Sequence, residues 1–376
     1  MGKRGNGEGS ISRRKNGGWM GQYVVYTAEG RKRKTVYGKT RKEVAAKLAK
    51  EISNRESGLT FDARNLTVGG YLDLWLRDSV QDTVRLTTYQ GYERVVRLHI
   101  KPALGRVKLD RLTPAHVRGL YRERLEAGLA PRMVQLVHAI LHKALGQAVN
   151  DGLIPRNVTE TVKAPRPVKK EMRPLSPAQA RTLLQAARGD RLEALYTLAL
   201  TTGMRQGELL GLKWEDIDLE GGILQVRRTL STATGGGFGF NPPKTAKSRR
   251  SIRLPELALS SLRRHRRSQL EERMKLAGLW QDHDLVFTTG VGTPMSRADL
   301  ITRSFKPLLR RAGLPDIRFH DLRHTCATLL LSRGAHAKLV QELLGHSTIA
   351  MTLDTYSHVL PGMSDGLANT MDEVLG

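Results

Sequence analysis

The chain has 376 residues, with 62 Lys and Arg against 36 Asp and Glu, so it carries a formal net charge of +26 and is long enough for several ordinary domains. A surplus this large must face something polyanionic, most simply a nucleic acid backbone, and no stretch approaches the roughly 18 consecutive apolar residues of a membrane span. A single cysteine, Cys326, excludes an intrachain disulfide framework and a cysteine-based zinc cluster, and the basic start Met1-Gly2-Lys3-Arg4 runs into Gly-Asn-Gly-Glu, so a cytoplasmic protein without a secretory signal is expected.

Residues 1–60 hold fifteen Lys and Arg and five Asp and Glu, a net +10 where an even share would be about +4. Short strands are expected around Ser10 to Arg13, Trp19 to Tyr26 and Lys32 to Tyr37, parted by the turn signals Asn16-Gly17-Gly18 and Glu29-Gly30. Thr40-Arg41-Lys42-Glu43 reads as a capping box, with Val44, Leu48 and Ile52 at helical spacing behind it. Arg13, Arg14, Lys15 and the run Arg31, Lys32, Arg33, Lys34 flank Trp19, Tyr23 and Tyr26. That interleaving of cations and rings favours DNA contact over a merely solvated basic hairpin.

After a linker at Ser57 to Asn65 the pattern turns helical. Val68-Tyr71-Leu72-Trp75-Leu76, Tyr89-Tyr92-Val95-Val96, Val117-Leu120-Tyr121-Leu125 and Val134-Val137-Leu141-Leu145 each mark one apolar face, predicting a four-helix bundle that ends near Asn157. Thr113-Pro114 is a helix start, Thr as N-cap and Pro in the first turn. The run Lys163 to Lys170 mixes prolines with cations and keeps the backbone extended, so domains at 66–162 and 176–376 are expected with a linker at 163–175, where Lys169 and Lys170 would follow a DNA backbone.

From Ser176-Pro177, a second cap and first-turn pair, helices are expected through Leu192 to Leu200 and Gly207 to Leu212. Strands follow at Ile223 to Arg228 and Arg250 to Leu254, separated by a Gly-rich loop, Thr234 to Phe240, and a short apolar run, Leu285-Val286-Phe287, interrupts the later helices. The fold class is multidomain and mainly α with small β: an N-terminal three-stranded sheet plus helix, a helical bundle and a mixed α/β C-terminal domain.

Within that last domain Arg205, His320, Arg323, His346 and Tyr356 share a theme. Guanidinium groups match phosphate oxygens two at a time and stabilise charge building on a pentavalent phosphorus, and a tyrosine can attack as a covalent nucleophile. Blander readings exist for each. Arg205 could sit on a solvated face, His346 could be a satisfied core histidine or cap, and Tyr356 lies among Met351, Leu353 and Val359 like a core residue. His320 and His324, four apart on one helix face, could hold a metal, but the Glu such a site needs as base is missing and Arg323 would repel a dication. Cys326, on the apolar face with Leu322, Leu329 and Leu330, reads as a buried small hydrophobe.

These motifs resemble those of the tyrosine recombinases, the phage-integrase family, and the layout is similar to that of the lambda-type integrases over nearly the whole chain. Arg-x-x-Glu-Leu followed by Gly-Leu-x-Trp-x-Asp-Ile fits Arg205 to Ile217, His-x-Leu-Arg-His fits His320 to His324, and Leu-Gly-His-Ser fits Leu344 to Ser347, with Tyr356 ten residues after His346. The resemblance implies an arm-type DNA-binding domain at 1–60, a core-binding domain at 66–162 and a catalytic domain with a C-terminal helix at 176–376. It implies that Arg205 and Arg323, helped by His346, grip the scissile phosphate while Tyr356 attacks to give a 3′-phosphotyrosine. Lys244 would protonate the departing 5′-oxygen, with Lys247 the alternative, and His320 would handle the tyrosine proton with His324 and His358 as supports. No cofactor is expected. Partners would be double-stranded DNA at core and arm attachment sites, a homotetramer on that DNA, and accessory proteins, a DNA-bending protein and an excisionase, with no membrane. A type IB topoisomerase and a non-catalytic DNA-binding descendant are the rival readings. Beyond Tyr356, Ser364 can cap a last helix whose Leu367, Met371, Val374 and Leu375 form an apolar stripe, to dock on a neighbouring protomer or on its own domain.

Overall fold

A computed structural model of the chain describes residues 10–15, 17–27, 30–56, 66–167, 172–232, 237–242, 248–356 and 371–375. The contacts divide into two compact units, Met1–Lys169 and Lys170–Gly376. The protein is a mainly helical, multidomain structure with small sheets.

In the first unit, β1 (Ser10–Arg13), β2 (Trp19–Thr27) and β3 (Gly30–Gly38) form an antiparallel sheet in that order. The period-two alternation of a strand turns Gly21 and Tyr23 of β2 inward, where they meet Val36 and the Val44 and Leu48 stripe of α1 (Arg41–Glu56). The α1 start is shifted from the expected box: Thr40 Oγ1 accepts from the Glu43 amide (3.2 Å), but the Glu43 carboxylate accepts from Lys39 one residue earlier (2.9 Å). Tyr23, expected among the DNA-facing aromatics, is a core residue instead. Its position on the buried face of β2 leaves Tyr37 exposed on β3, with the Arg14 guanidinium 4.7 Å above its ring.

The rest of this unit is helical. α2 (Val68–Trp75) and α3 (Leu86–Val95) each run on through one wider π turn, Leu76–Val80 and Val96–Ile100, before α4 (Lys101–Leu104), α5 (Pro114–Glu126) and α6 (Pro131–Asn150). Hydroxyls satisfy the free amides where α2 and α5 begin: Thr67 Oγ1 accepts from Gly70, and Thr113 Oγ1 from His116 with Pro114 in the first turn. Val134, Val137, Leu141 and Leu145 of α6 are wholly buried, each contributing about 1.5–3 kcal/mol. Leu125, read as part of the α5 face, is exposed in its last turn.

The second unit opens with α7 (Pro177–Ala186), where Ser176 and Gln179 cap each other reciprocally. α8 (Glu193–Thr202), almost entirely buried, and α9 (Gln206–Leu210) follow. β4 (Ile217–Asp218), β5 (Ile223–Val226) and β8 (Arg250–Arg253) make an antiparallel sheet that sets Leu224 opposite Ile252. Part of the expected Gly-rich loop is a strand: β7 (Phe238–Asn241) pairs with β6 (Thr229–Thr232) as a separate hairpin. Phe238 and Phe240 do alternate there, but they are exposed, so the period carried no burial to mark it. The buried run Leu285-Val286-Phe287 forms only an isolated bridge, Leu285 to Lys213.

Then come α10 (Glu256–Leu276), α11 (Arg297–Asp299), α12 (Lys306–Arg311), α13 (Asp321–Ser332), α14 (Ala337–Leu344) and α15 (Ile349–Tyr356). The main core gathers around α8, and a second, smaller cluster joins Ala327, Leu331, Val340, Leu344 and Tyr356 from the last three helices. Among the described residues no helix is long and apolar enough to cross a membrane.

Candidate active site

α8 ends at Gly203, whose left-handed backbone (φ 59°) turns the chain sharply enough to place Arg205 at the N-cap of α9. Any side chain at Gly203 would start 2.5 Å from Leu344 Cδ2. Glu208, one turn into α9 and 2% exposed, accepts through Oε1 from Arg205 Nη1 (2.8 Å) and through Oε2 from the Arg205 amide (3.0 Å). Arg205 Nη2 donates to the Gly345 carbonyl (3.3 Å), leaving the guanidinium partly open to solvent.

Arg323 lies in the first turn of α13 and is 3% exposed. Its Nη1 donates to the Gly203 carbonyl (2.8 Å), but its buried Nη2 has no partner among the described residues. Burial, and then the neighbouring Arg205, lower its pKa to about 9. An unmet donor on a buried cation costs free energy that an anionic oxygen would return.

α14 ends at Gly345, also left-handed (φ 66°), which delivers His346 to the same place. His346 Nδ1 bonds the Thr352 hydroxyl at 2.9 Å, and its amide donates to Gln341. Burial, with Arg323 and Arg205 next, lowers its pKa to about 4. Tyr356 closes α15 with 1% exposure, its ring in the small apolar cluster and its hydroxyl 2.7 Å from His324 Nδ1. Burial raises that phenol to about 12, against the pull of Arg323, and burial followed by His320 brings His324 down to about 4. Both imidazoles are therefore neutral at pH 7, and burial makes each a weaker base than a free imidazole.

Arg205, Arg323, His346 and Tyr356 are thus brought together. His320 is close but differently used: it is the N-cap residue of α13, exposed, with its ring edge-on to His324 at 4.9 Å. The tyrosine hydroxyl bonds His324, whereas the family resemblance gives the tyrosine proton to His320 with His324 as a support. Lys244, Lys247, His358, Lys169 and Lys170 lie outside the described residues, as do Leu367 and Ser364. Arg13, Arg14, Lys15 and Arg33 are exposed on the N-terminal sheet with Lys34 half-buried, while Arg31 and Lys32 pair in β3 opposite Tyr26 and Val25. Met371, Val374 and Leu375 are exposed. No group of His, Cys, Asp or Glu suited to a metal occurs among the described residues.

Two functional candidates escaped the sequence reading. Glu208 was only a letter in the Arg-x-x-Glu pattern, yet its buried carboxylate bonds both Arg205 and Arg250. Burial alone would raise that carboxyl, but Arg250 and Arg205 together hold it below its ordinary value. Arg250 had one usable signal, a cation two residues before the buried Ile252 on the same strand face.

A family model described as "Phage integrase family" matches residues 173–362, and one for the phage integrase N-terminal SAM-like domain matches residues 67–125. A tyrosine recombinase XerC-like protein of Caldanaerobacter subterraneus subsp. tengcongensis is 32% identical over 360 residues, covering 91% of this chain and 92% of the relative. The ICEBs1 integrase of Bacillus subtilis is 29% identical over 76% of this chain and 78% of its own. Among solved structures, the Tn1549 transposon integrase in complex with a circular intermediate DNA is 25% identical with a TM-score of 0.69, covering 82% of this chain and 99% of that one. A lambda integrase tetramer bound to a Holliday junction shares the fold at 20% identity and a TM-score of 0.57, over 94% and 96%.

Proposed function

The chain belongs to the phage integrase family, the tyrosine recombinases, and on that premise we propose that Tyr356 cuts and rejoins double-stranded DNA at the attachment sites of a mobile element. The observation that carries the site assignment is the buried, half-partnered Arg323 beside Arg205: two cations that share an electrostatic environment with Tyr356, one of them with an Nη2 donor that no described residue meets. A phosphodiester oxygen supplies what Arg323 Nη2 lacks, and the charge that accumulates on phosphorus during attack strengthens both contacts.

The step balances without a cofactor. Tyr356 Oη bonds phosphorus, the bond from phosphorus to the 5′-oxygen breaks, and the phenolic proton passes to the neutral imidazole of His324, which already holds that hydroxyl. His346 donates a hydrogen bond to a phosphate oxygen. Lys244, or Lys247 in its place, protonates the leaving 5′-oxygen. A 5′-hydroxyl from a partner duplex then reverses the chemistry on the 3′-phosphotyrosine. In this reading residues 1–60 hold arm sites, 66–162 and 176–376 each bind core-site DNA, and four protomers assemble on DNA with bending and excision factors as accessories. The mobile-element relatives and the net +10 of residues 1–60 support it.

The test is a nicked duplex carrying the junction of the resident element, on which a cut strand cannot be religated. Covalent protein–DNA adduct, lost in Tyr356→Phe and in Arg205→Ala, is the expected result. An adduct that survives Tyr356→Phe places the nucleophile elsewhere, and relaxation of supercoiled plasmid without strand exchange would favour a topoisomerase.

A further inference from the structure

Among the described residues Arg250 makes three side-chain bonds, two of them to distant segments. Nη2 donates to Glu208 Oε2 at 3.0 Å, Nε to the Leu343 carbonyl at 2.6 Å, and Nη1 to the Ser248 carbonyl at 3.2 Å. Its side chain is only 7% exposed, so it is no surface contact for a DNA backbone. Two of its partners lead to the candidate site. Glu208 is the residue that fixes Arg205 by both side chain and amide. Leu343 stands in the last turn of α14, two residues before the Gly345 carbonyl that Arg205 itself holds and three before His346.

We infer that Arg250 is a positioning residue, which holds Arg205 and His346 in register on the scissile phosphate by tying β8 to Glu208 and to the end of α14. The inference rests on the assignment of Arg205 and His346 to that phosphate. Two physical effects run through Arg250. The first is geometric: the last carbonyls of a helix have no partner within it, so a planar donor that spans Leu343 and Glu208 locks the α14 terminus against α9. The second is electrostatic. Glu208 paired with Arg205 alone would cancel the charge of Arg205, whereas a carboxylate shared between two guanidiniums leaves that trio net positive. Lysine keeps the positive charge but not the geometry, because a single ammonium nitrogen lacks the fixed fork that spans Leu343 and Glu208.

The experiment uses the full chain, the nicked junction duplex and two versions of the scissile linkage, a phosphodiester and a methylphosphonate that lacks one anionic oxygen. Arg250→Lys should bind the uncut duplex within about twofold of the unaltered protein but form adduct about 10–100-fold more slowly on the phosphodiester, the size of loss expected when a catalytic contact is misplaced. On the methylphosphonate, with less charge to grip, the deficit should shrink to about threefold or less. Unaltered cleavage by Arg250→Lys overturns the inference, and so does an equal deficit on both linkages, which marks a general structural role. If Arg250→Lys does not fold, Arg250→Gln, whose amide keeps one planar donor, is read in the same way. An adduct that persists in Arg205→Ala would instead remove the phosphate assignment beneath it.

Discussion

Replacing Tyr356 by Phe removes one oxygen, and its consequences separate chemistry from folding. The ring keeps its place among Ala327, Leu331, Val340 and Leu344, so no cavity opens. What is lost is the 2.7 Å bond to His324 Nδ1, a net contribution of about 0.5–1.5 kcal/mol, with a further cost because the half-buried imidazole is left unsatisfied. A destabilisation of about 1–2 kcal/mol is expected, which in a unit of this size moves the unfolding midpoint by about 2–8 °C. Binding to uncut junction DNA should be unchanged, because the hydroxyl is buried and carries no charge. Differential scanning calorimetry reads the midpoint, a gel shift on uncut junction DNA reads binding, and the adduct assay reads the chemistry. A Phe variant as stable as the unaltered protein would show that the hydroxyl does not rest on His324 in solution, and the proposed route of its proton would fall with it.

Arg323→Met should abolish adduct formation, by at least about 10³-fold, yet leave the unfolding midpoint unchanged or higher, because it removes a buried, incompletely paired cation; a large drop in midpoint would contradict that reading. His324 and His346 have folded pKa values near 4, below the ordinary 6.5, so at pH between those values the unfolded chain binds protons that the folded chain does not. Their contribution to stability is present above pH 6.5 and is lost as pH falls toward 4; midpoints from pH 7.5 to 4.5 should decline, and His346→Gln should flatten the decline. Truncation after Gly362 removes a segment whose Met371, Val374 and Leu375 are exposed, so it should weaken assembly of the synaptic complex in gel-shift experiments while the monomer midpoint stays put. Deleting residues 1–60 should reduce the salt slope of binding to arm-site DNA and spare core cleavage, since a net +10 of counterion-releasing charge is lost.

Elements with strong local signals were legible from the sequence. Thr113-Pro114 and Ser176-Pro177 do start helices, and the Val134 to Leu145 stripe is buried throughout, because caps and helical periodicity are properties of a few neighbouring residues. The β6 and β7 hairpin was not, since the exposed Phe238 and Phe240 alternate without a core to face. In the site, residue types and order located Arg205, Arg323, His346 and Tyr356, but not which imidazole meets the phenol. That choice depends on how one turn of α13 faces α15, 32 residues later in the chain, and spacing along one helix cannot show it. Glu208 and Arg250 were missed for the same reason: 42 residues separate a pair whose meaning lies in the contact itself.

Gly203 and Gly345 hold the two clamp arginines by main-chain oxygens, Gly203 for Arg323 and Gly345 for Arg205. A side-chain scan of the pocket would reach Glu208 but leave both of these anchors untouched. Only a change of backbone path would expose the dependence. With φ of 59° and Leu344 2.5 Å from any added carbon, Gly203→Ala both strains the turn and collides with α14, so one methyl group placed outside the reacting atoms would displace the carbonyl that aims Arg323.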